Sequence, residues 1–217
     1  TTINSSDDIL CDFAVSQEIN FFRGDELNVM KRVLEAGKEF NADAIVEITG
    51  DCPIIDPCII EQVIETFRIN DVDFVNNNSI QSYPDGMDTR VFSLDAIEKS
   101  FSLTKSELDH EHVTLHMKNN PDLFRIINLI APNNLFWPDL GLTLDEIGDY
   151  KLIDAVIRNL YDGITTLELD NLSSRVCASL SSNEPNYGLL GGRICMSNLH
   201  KSTPNTFFEC CKLLMEN

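Results

Sequence analysis

Residues 44–67 read Ala-Ile-Val-Glu-Ile-Thr-Gly-Asp-Cys-Pro-Ile-Ile-Asp-Pro-Cys-Ile-Ile-Glu-Gln-Val-Ile-Glu-Thr-Phe, and the fold is decided here. The β-branched residues within 44–49 favour a strand. Gly50 and Pro53 then bend the chain, and Asp56-Pro57 supplies a helix N-cap followed by a proline at the first helical position. From there Ile59, Ile60, Val63, Ile64 and Phe67 recur at helical spacing. A strand that passes into a helix within a few residues is the repeating unit of an α/β sheet. Ligands of such sheets sit beyond the carboxyl ends of the strands, which is where Asp51 falls.

The same alternation continues outward. Residues 25–40 predict a helix with Leu27, Met30, Val33 and Leu34 on one face and acids in its first turn. Residues 72–75, 89–93, 124–130 and 142–144 read as strands. Ser106 to Asp109 resembles a capping box ahead of a helix reaching about Met117, and residues 149–161 predict a last regular helix. The short connections imply a sheet that is at least partly parallel. From about residue 166 the character changes: Ser, Asn and Gly are frequent over 171–205, periodicity is weak, and an apolar helix is expected near 207–215. The expected organisation is an α/β domain over 1–165 and an extension over 166–217 with no assigned role.

With 217 residues, 43% of them hydrophobic, the chain can bury one substantial core. Its formal charge of −19 argues against wrapping nucleic acid or an anionic membrane surface. A small anionic substrate stays admissible, because a metal ion can bridge an acidic protein to an anionic ligand. Seven scattered cysteines without a C-x-x-C pair predict reduced thiols in a cytoplasmic protein. No apolar run reaches membrane-spanning length, and the first residues are not those of a secretory signal.

Four segments carry chemistry. Asp51 follows a strand in a region, 41–67, that has six acids and no Lys or Arg, so it could hold a hard divalent cation or simply cap a turn. Asp145 follows the predicted strand 142–144 and could share that cation or serve as an N-cap. In Ser82-Tyr83-Pro84-Asp85-Gly86-Met87-Asp88 the Pro-Asp-Gly signals a turn, and Tyr83, Asp85 and Asp88 could bind hydroxyls. His112 and His116 have the i, i+4 spacing of a ligand pair, but H-E-x-x-H is absent and solvated helix-face histidines are the preferred reading. The glycine run Gly188 to Arg193 matches neither G-x-G-x-x-G nor G-x-x-x-x-G-K-[ST] and is discounted as a phosphate loop.

Taken in order, Phe22-Arg23-Gly24, Val29-Met30-Lys31-Arg32, ITGDCPIIDP (48–57), YPDGMDTRVFS (83–93), EHVTLHMKNNP (111–121) and LTLDEIGDYKLI (142–153) resemble one family. It comprises the cytidylyltransferases related to spore-coat polysaccharide biosynthesis and acylneuraminate activation, and the resemblance covers residues 1–162. It implies a three-layer, Rossmann-like nucleotidyltransferase fold of the nucleotide-diphospho-sugar transferase type, with a mainly parallel sheet. It further implies Mg²⁺-dependent transfer of CMP from CTP to an acidic sugar, for surface polysaccharide or glycan biosynthesis, by a homodimer. On that resemblance Asp51 and Asp145 are the catalytic, metal-binding carboxylates. Tyr83, Asp85, Gly86, Asp88 and His112 bind substrate, and Gly50 and Arg32 bind nucleotide. Asn28 stands where the family usually has an acid, and Thr89-Arg90 replaces an apolar–acid pair; both bear on the choice of sugar. The family's G-S-x-R-L-P-x-K triphosphate loop has no counterpart in the chain, so this chain alone is expected to be inactive. A non-catalytic sugar-binding homologue is the alternative. A metal-dependent glycosyltransferase is disfavoured, since Asp51 is followed by Cys52-Pro53 rather than by a D-x-D pattern.

Overall fold

The structure, a computed structural model, describes residues 1–182 and 185–202. The chain forms two compact units, Thr1–Thr143 and Leu144–Asn217. The first contains α1 (Asp8–Ser16), α2 (Val29–Glu39), β1 (Ala44–Glu47), α3 (Pro57–Ile69), β2 (Phe74–Asn76), β3 (Arg90–Ser93), α4 (Leu94–Leu103), α5 (Glu107–Glu111), α6 (Leu115–Asn119) and β4 (Ile126–Asn128). The second contains α7 (Ile147–Ile157), α8 (Thr166–Leu180) and α9 (Pro185–Ser202).

The sheet order is β1-β3-β2-β4. β3 is antiparallel to both β1 and β2, and only β2 and β4 pair in parallel. The sheet is therefore mixed, which corrects the expectation of a mainly parallel one. The cause is the β2–β3 connection, residues 77–89, which contains no helix and so returns the chain antiparallel. The register sorts side chains by the period of two. Phe74 pairs with Phe92 and both meet Met30, Leu34, Ile97 and Met117 on the face covered by α2, α4 and α6. Val75 pairs with Val91 and both meet Val63 of α3 on the opposite face. Helices thus cover both faces, as an α/β sheet requires.

Local chemistry explains the boundaries. Asp56 caps α3 as read, its carboxylate accepting from the Cys58 N–H at 2.8 Å. α2 starts at Val29 rather than near 25, because the Asp25 carboxylate accepts from the N–H groups of Leu27 and Asn28 and holds a turn. Asn28 is the N-cap, accepting from Lys31 N–H at 2.9 Å. The single helix expected over 106–117 is broken, since His112 leaves helical geometry with φ −101° and ψ 75°. No strand forms at 142–144; Gly141 makes only an isolated bridge to Asp85.

The second unit is where sequence periodicity failed most. α8 begins with a capping box in which the Thr165 hydroxyl accepts from Glu168 N–H and the Glu168 carboxylate accepts from Thr165 N–H. α9 absorbs the glycine run, so Gly188 to Arg193 is helix and not a phosphate loop. Gly191 has a packing reason: a Cβ there would stand 3.0 Å from Cys177 Cβ and 3.0 Å from the Ser174 carbonyl oxygen. Small residues in close contact carry no large apolar stripe to read. The helix expected near 207–215 lies outside the described residues. Among the described residues no helix is long and apolar enough to cross a membrane.

Candidate active site

β1 delivers the first component. Beyond it, Cys52 N–H closes a turn onto the Thr49 carbonyl at 3.3 Å, and Asp51 stands exposed on that turn. The Thr49 hydroxyl donates to the Asp51 carboxylate and holds its pKa below the usual carboxylate range, against the opposing effect of burial. Gly50 has open space where a side chain would be. Burial pushes the neighbouring Cys52 thiol up. Among the described residues no three His, Cys, Asp or Glu gather as a ready-made metal cage. A Mg²⁺ ion would need only one or two carboxylates, taking its other ligands from phosphate oxygens and water. An exposed, ionised Asp51 beside open backbone fits that demand.

β2 delivers the second. Its end is a run of three asparagines, each with a separate task. Asn76 donates its carboxamide N–H to Asn128 of β4 at 2.8 Å and accepts from Asn78 and Ser79 N–H groups at 3.2 and 2.8 Å. Asn77 accepts from Thr89 N–H at 2.8 Å and donates to the Met87 carbonyl at 2.7 Å. Asn78 donates to the Asp88 carboxylate at 2.5 Å. The loop is pinned on its other side by Asp85 N–H to Leu140 O (2.9 Å) and Leu142 N–H to Asp85 O (2.8 Å). Gly86 has φ +96°, and a Cβ would lie 2.8 Å from the Leu142 carbonyl carbon, so this position requires glycine. Tyr83 packs with Ile59 and Ala131, its hydroxyl donating to Gln62 at 3.3 Å while burial pushes the phenol up. A cavity of about 210 Å³ results, lined by Asn77, Asn78, Gln81, Ser82, Tyr83, Asp85 and Asp88.

The third component is a chain of charges. Arg90 at the start of β3 contacts Glu47 of β1 at 3.4 Å and Asp88 at 3.3 Å, with the Arg90 and Glu47 side chains 17% and 16% exposed. Lys118 of α6 donates to Asn78 at 2.7 Å. Burial raises the Glu47 pKa, only partly offset by Arg90. Burial and the Arg90 charge lower that of Lys118, against the pull of Asp88 and Glu47. Asn78 and Lys118 also line a groove of about 720 Å³ that includes Ser79, Phe124 and Asn128.

Tyr83, Asp85, Gly86 and Asp88 are thus brought together in one loop. The Met87 sulfur accepts from Asp56 N–H at 3.3 Å and ties this loop to the chain that follows the Asp51 turn. Arg32 has other work: its guanidinium bonds the carbonyls of Asp25 and Glu26 in the turn before α2. His112 ends α5 with its N–H on the Leu108 carbonyl. His116 bonds Ser100 at 3.0 Å and meets the Phe124 ring edge-on, so the two histidines share no helix face. Asp145 belongs to the second unit, ahead of the Glu146–Asp149 capping box that starts α7. The residues missed from sequence are Asn76 to Asn78, Glu47 and Lys118. The readable signal was three asparagines ending a strand, a composition that strands disfavour.

A helix-covered mixed sheet with a polar pocket and an ionised carboxylate at the strand ends defines a binding or transfer site for polar small molecules. The sequence profile of the cytidylyltransferase family matches residues 1–161, and the chain belongs to that family. It is 36% identical over 187 residues to an uncharacterized protein of Methanocaldococcus jannaschii, covering 81% of this chain and 76% of that one. It is 30% identical over 157 residues to the spore coat polysaccharide biosynthesis protein SpsF of Bacillus subtilis, covering 72% of this chain and 64% of that protein. The structure resembles that of a cytidylyltransferase from Leptospira borgpetersenii, with a TM-score of 0.69 and 27% identity over 86% of this chain and 76% of that chain. A shorter likeness is of another kind: 45% identity over 76 residues to the ribonucleoside-diphosphate reductase large subunit of Caenorhabditis elegans, 35% of this chain but 10% of that protein.

Two outcomes follow from the site. Asn77→Ala leaves the buried Thr89 N–H and Met87 carbonyl without partners and should lower stability by about 1–3 kcal/mol in denaturant unfolding. Glu47 has a folded pKa above its ordinary value of 4.5, so the native state holds the proton more tightly than the unfolded chain. Its protonated form therefore favours folding, and that contribution declines as pH climbs above about 4.5. Relative to Glu47→Gln, the wild-type protein should lose stability on raising pH through that window.

Proposed function

We propose that the complete protein is a cytoplasmic cytidylyltransferase that transfers CMP from CTP to an acidic sugar for surface polysaccharide or glycan biosynthesis. The observation that carries this reading is the pocket after β2, where Tyr83, Asp85 and Asp88 stand with two asparagines. Carboxylates and carboxamides held in fixed orientation suit a ring of sugar hydroxyls, which both donate and accept. Arg90 and Lys118 suit the carboxylate of a sugar acid, which a chain of net charge −19 would otherwise repel.

In the reaction a sugar hydroxyl oxygen bonds to the α-phosphorus of CTP, the bond to pyrophosphate breaks, and the hydroxyl proton is released. Transfer of this kind depends mainly on positioning and on offsetting phosphate charge. Asp85 and Asp88 would orient the sugar. Gly50 would let the triphosphate approach the backbone closely. Asp51 is the residue of this unit that would hold Mg²⁺, which, when bound, supplies countercharge to the phosphates. Arg32 and His112 would act through the turns they close.

The test is pyrophosphate release by the complete protein from CTP and a sugar acid with Mg²⁺. Asp51→Asn should lower kcat/KM at least about a hundredfold. An active Asp51→Asn variant would contradict the metal assignment. Calorimetric binding of the sugar acid by wild-type protein without pyrophosphate release would replace the enzyme with a non-catalytic sugar-binding homologue.

A further inference from the structure

Among the described residues the second unit is helical, where the first is built on a sheet. On α7, a Cβ at Gly148 would meet the Tyr187 hydroxyl of α9 at 2.7 Å, so glycine leaves room for that contact. α8 and α9 form an antiparallel pair. The Ser174 hydroxyl donates to the Gly191 carbonyl at 2.9 Å, and Asn198 donates to Asn171 at 3.2 Å, which fixes the register. Cys177 is 1% exposed between them.

The family profile stops at residue 161, which leaves α8 and α9 outside it. The reductase large subunits match 67 to 76 residues of the chain, and the second unit is 74 residues long. Their identity of 40 to 45% exceeds the 36% and 30% of the relatives that match over more of the chain. Each match takes only 8 to 10% of a reductase, the proportion expected of one transplanted segment and not of a shared whole protein.

We infer that the segment carrying α8 and α9 is homologous to a segment of ribonucleotide reductase large subunits, joined behind the cytidylyltransferase unit, with α7 as the junction that both patterns share. The chain is composite. Its α8–α9 pair is a packing element built around a small-residue seam.

Hydrogen exchange on the whole chain tests this without reference to activity, so failure of the transferase reading would leave the result intact. Gly191→Leu forces a side chain into Cys177 and Ser174 and should abolish protection across α8 and α9, while β2 and β3 stay as protected as in wild type. Loss of protection in β2 and β3 as well would overturn the separation into modules. The reductase kinship is tested by replacing residues 144–217 with the matching segment of the Caenorhabditis elegans subunit. Protected α8 and α9 amides in that chimera are expected, and free exchange there would overturn the homology.

Discussion

The buried carboxamide of Asn77 is the constraint on which the site depends. It is 1% exposed and satisfies two backbone groups of the segment that leads into β3. A peptide group buried without a partner would cost about 1–3 kcal/mol, so the chain between β2 and β3 has one inexpensive conformation and keeps it. That loop then carries Tyr83, Asp85, Gly86 and Asp88 to the carboxyl end of β2. It also sets the direction of β3, and thereby the antiparallel pairing that makes the sheet mixed. Fold and pocket share one cause.

Electrostatics adds a second layer. The chain is strongly acidic, yet two of its cations sit partly buried against residues that line the pocket, Arg90 on Asp88 and Lys118 on Asn78. Arg90, placed between Glu47 and Asp88, offsets part of their charge where the cluster is withdrawn from water. Lys118 bonds the neutral Asn78, with Asp88 and Glu47 also acting on its ammonium. On the proposed function, these two groups are what admits an anionic sugar to an acidic protein.

Much of this was legible in the sequence, and the failures have physical reasons. The Asp56-Pro57 helix start, the strand within 44–49 (observed over 44–47) and the loop 83–88 followed from local rules that tertiary packing did not override. The strand order did not, because which strands become neighbours is set by long-range pairing that no local pattern records. The pairing of Arg90 with Glu47 joins residues far apart in sequence, and no local pattern announces it. Leu27 reads as a core residue by spacing, but the Asp25 turn delays the helix and leaves it 82% exposed. α8 and α9 were missed because Gly191, Ser174 and Cys177 pack by smallness.

The most direct test of the account is an amide chemical-shift titration of the complete protein with a sugar acid. The account predicts that the shifts concentrate on Asn77, Asn78, Asp85 and Asp88 and reach Lys118. Shifts that spare this loop and fall elsewhere on the first unit would contradict it.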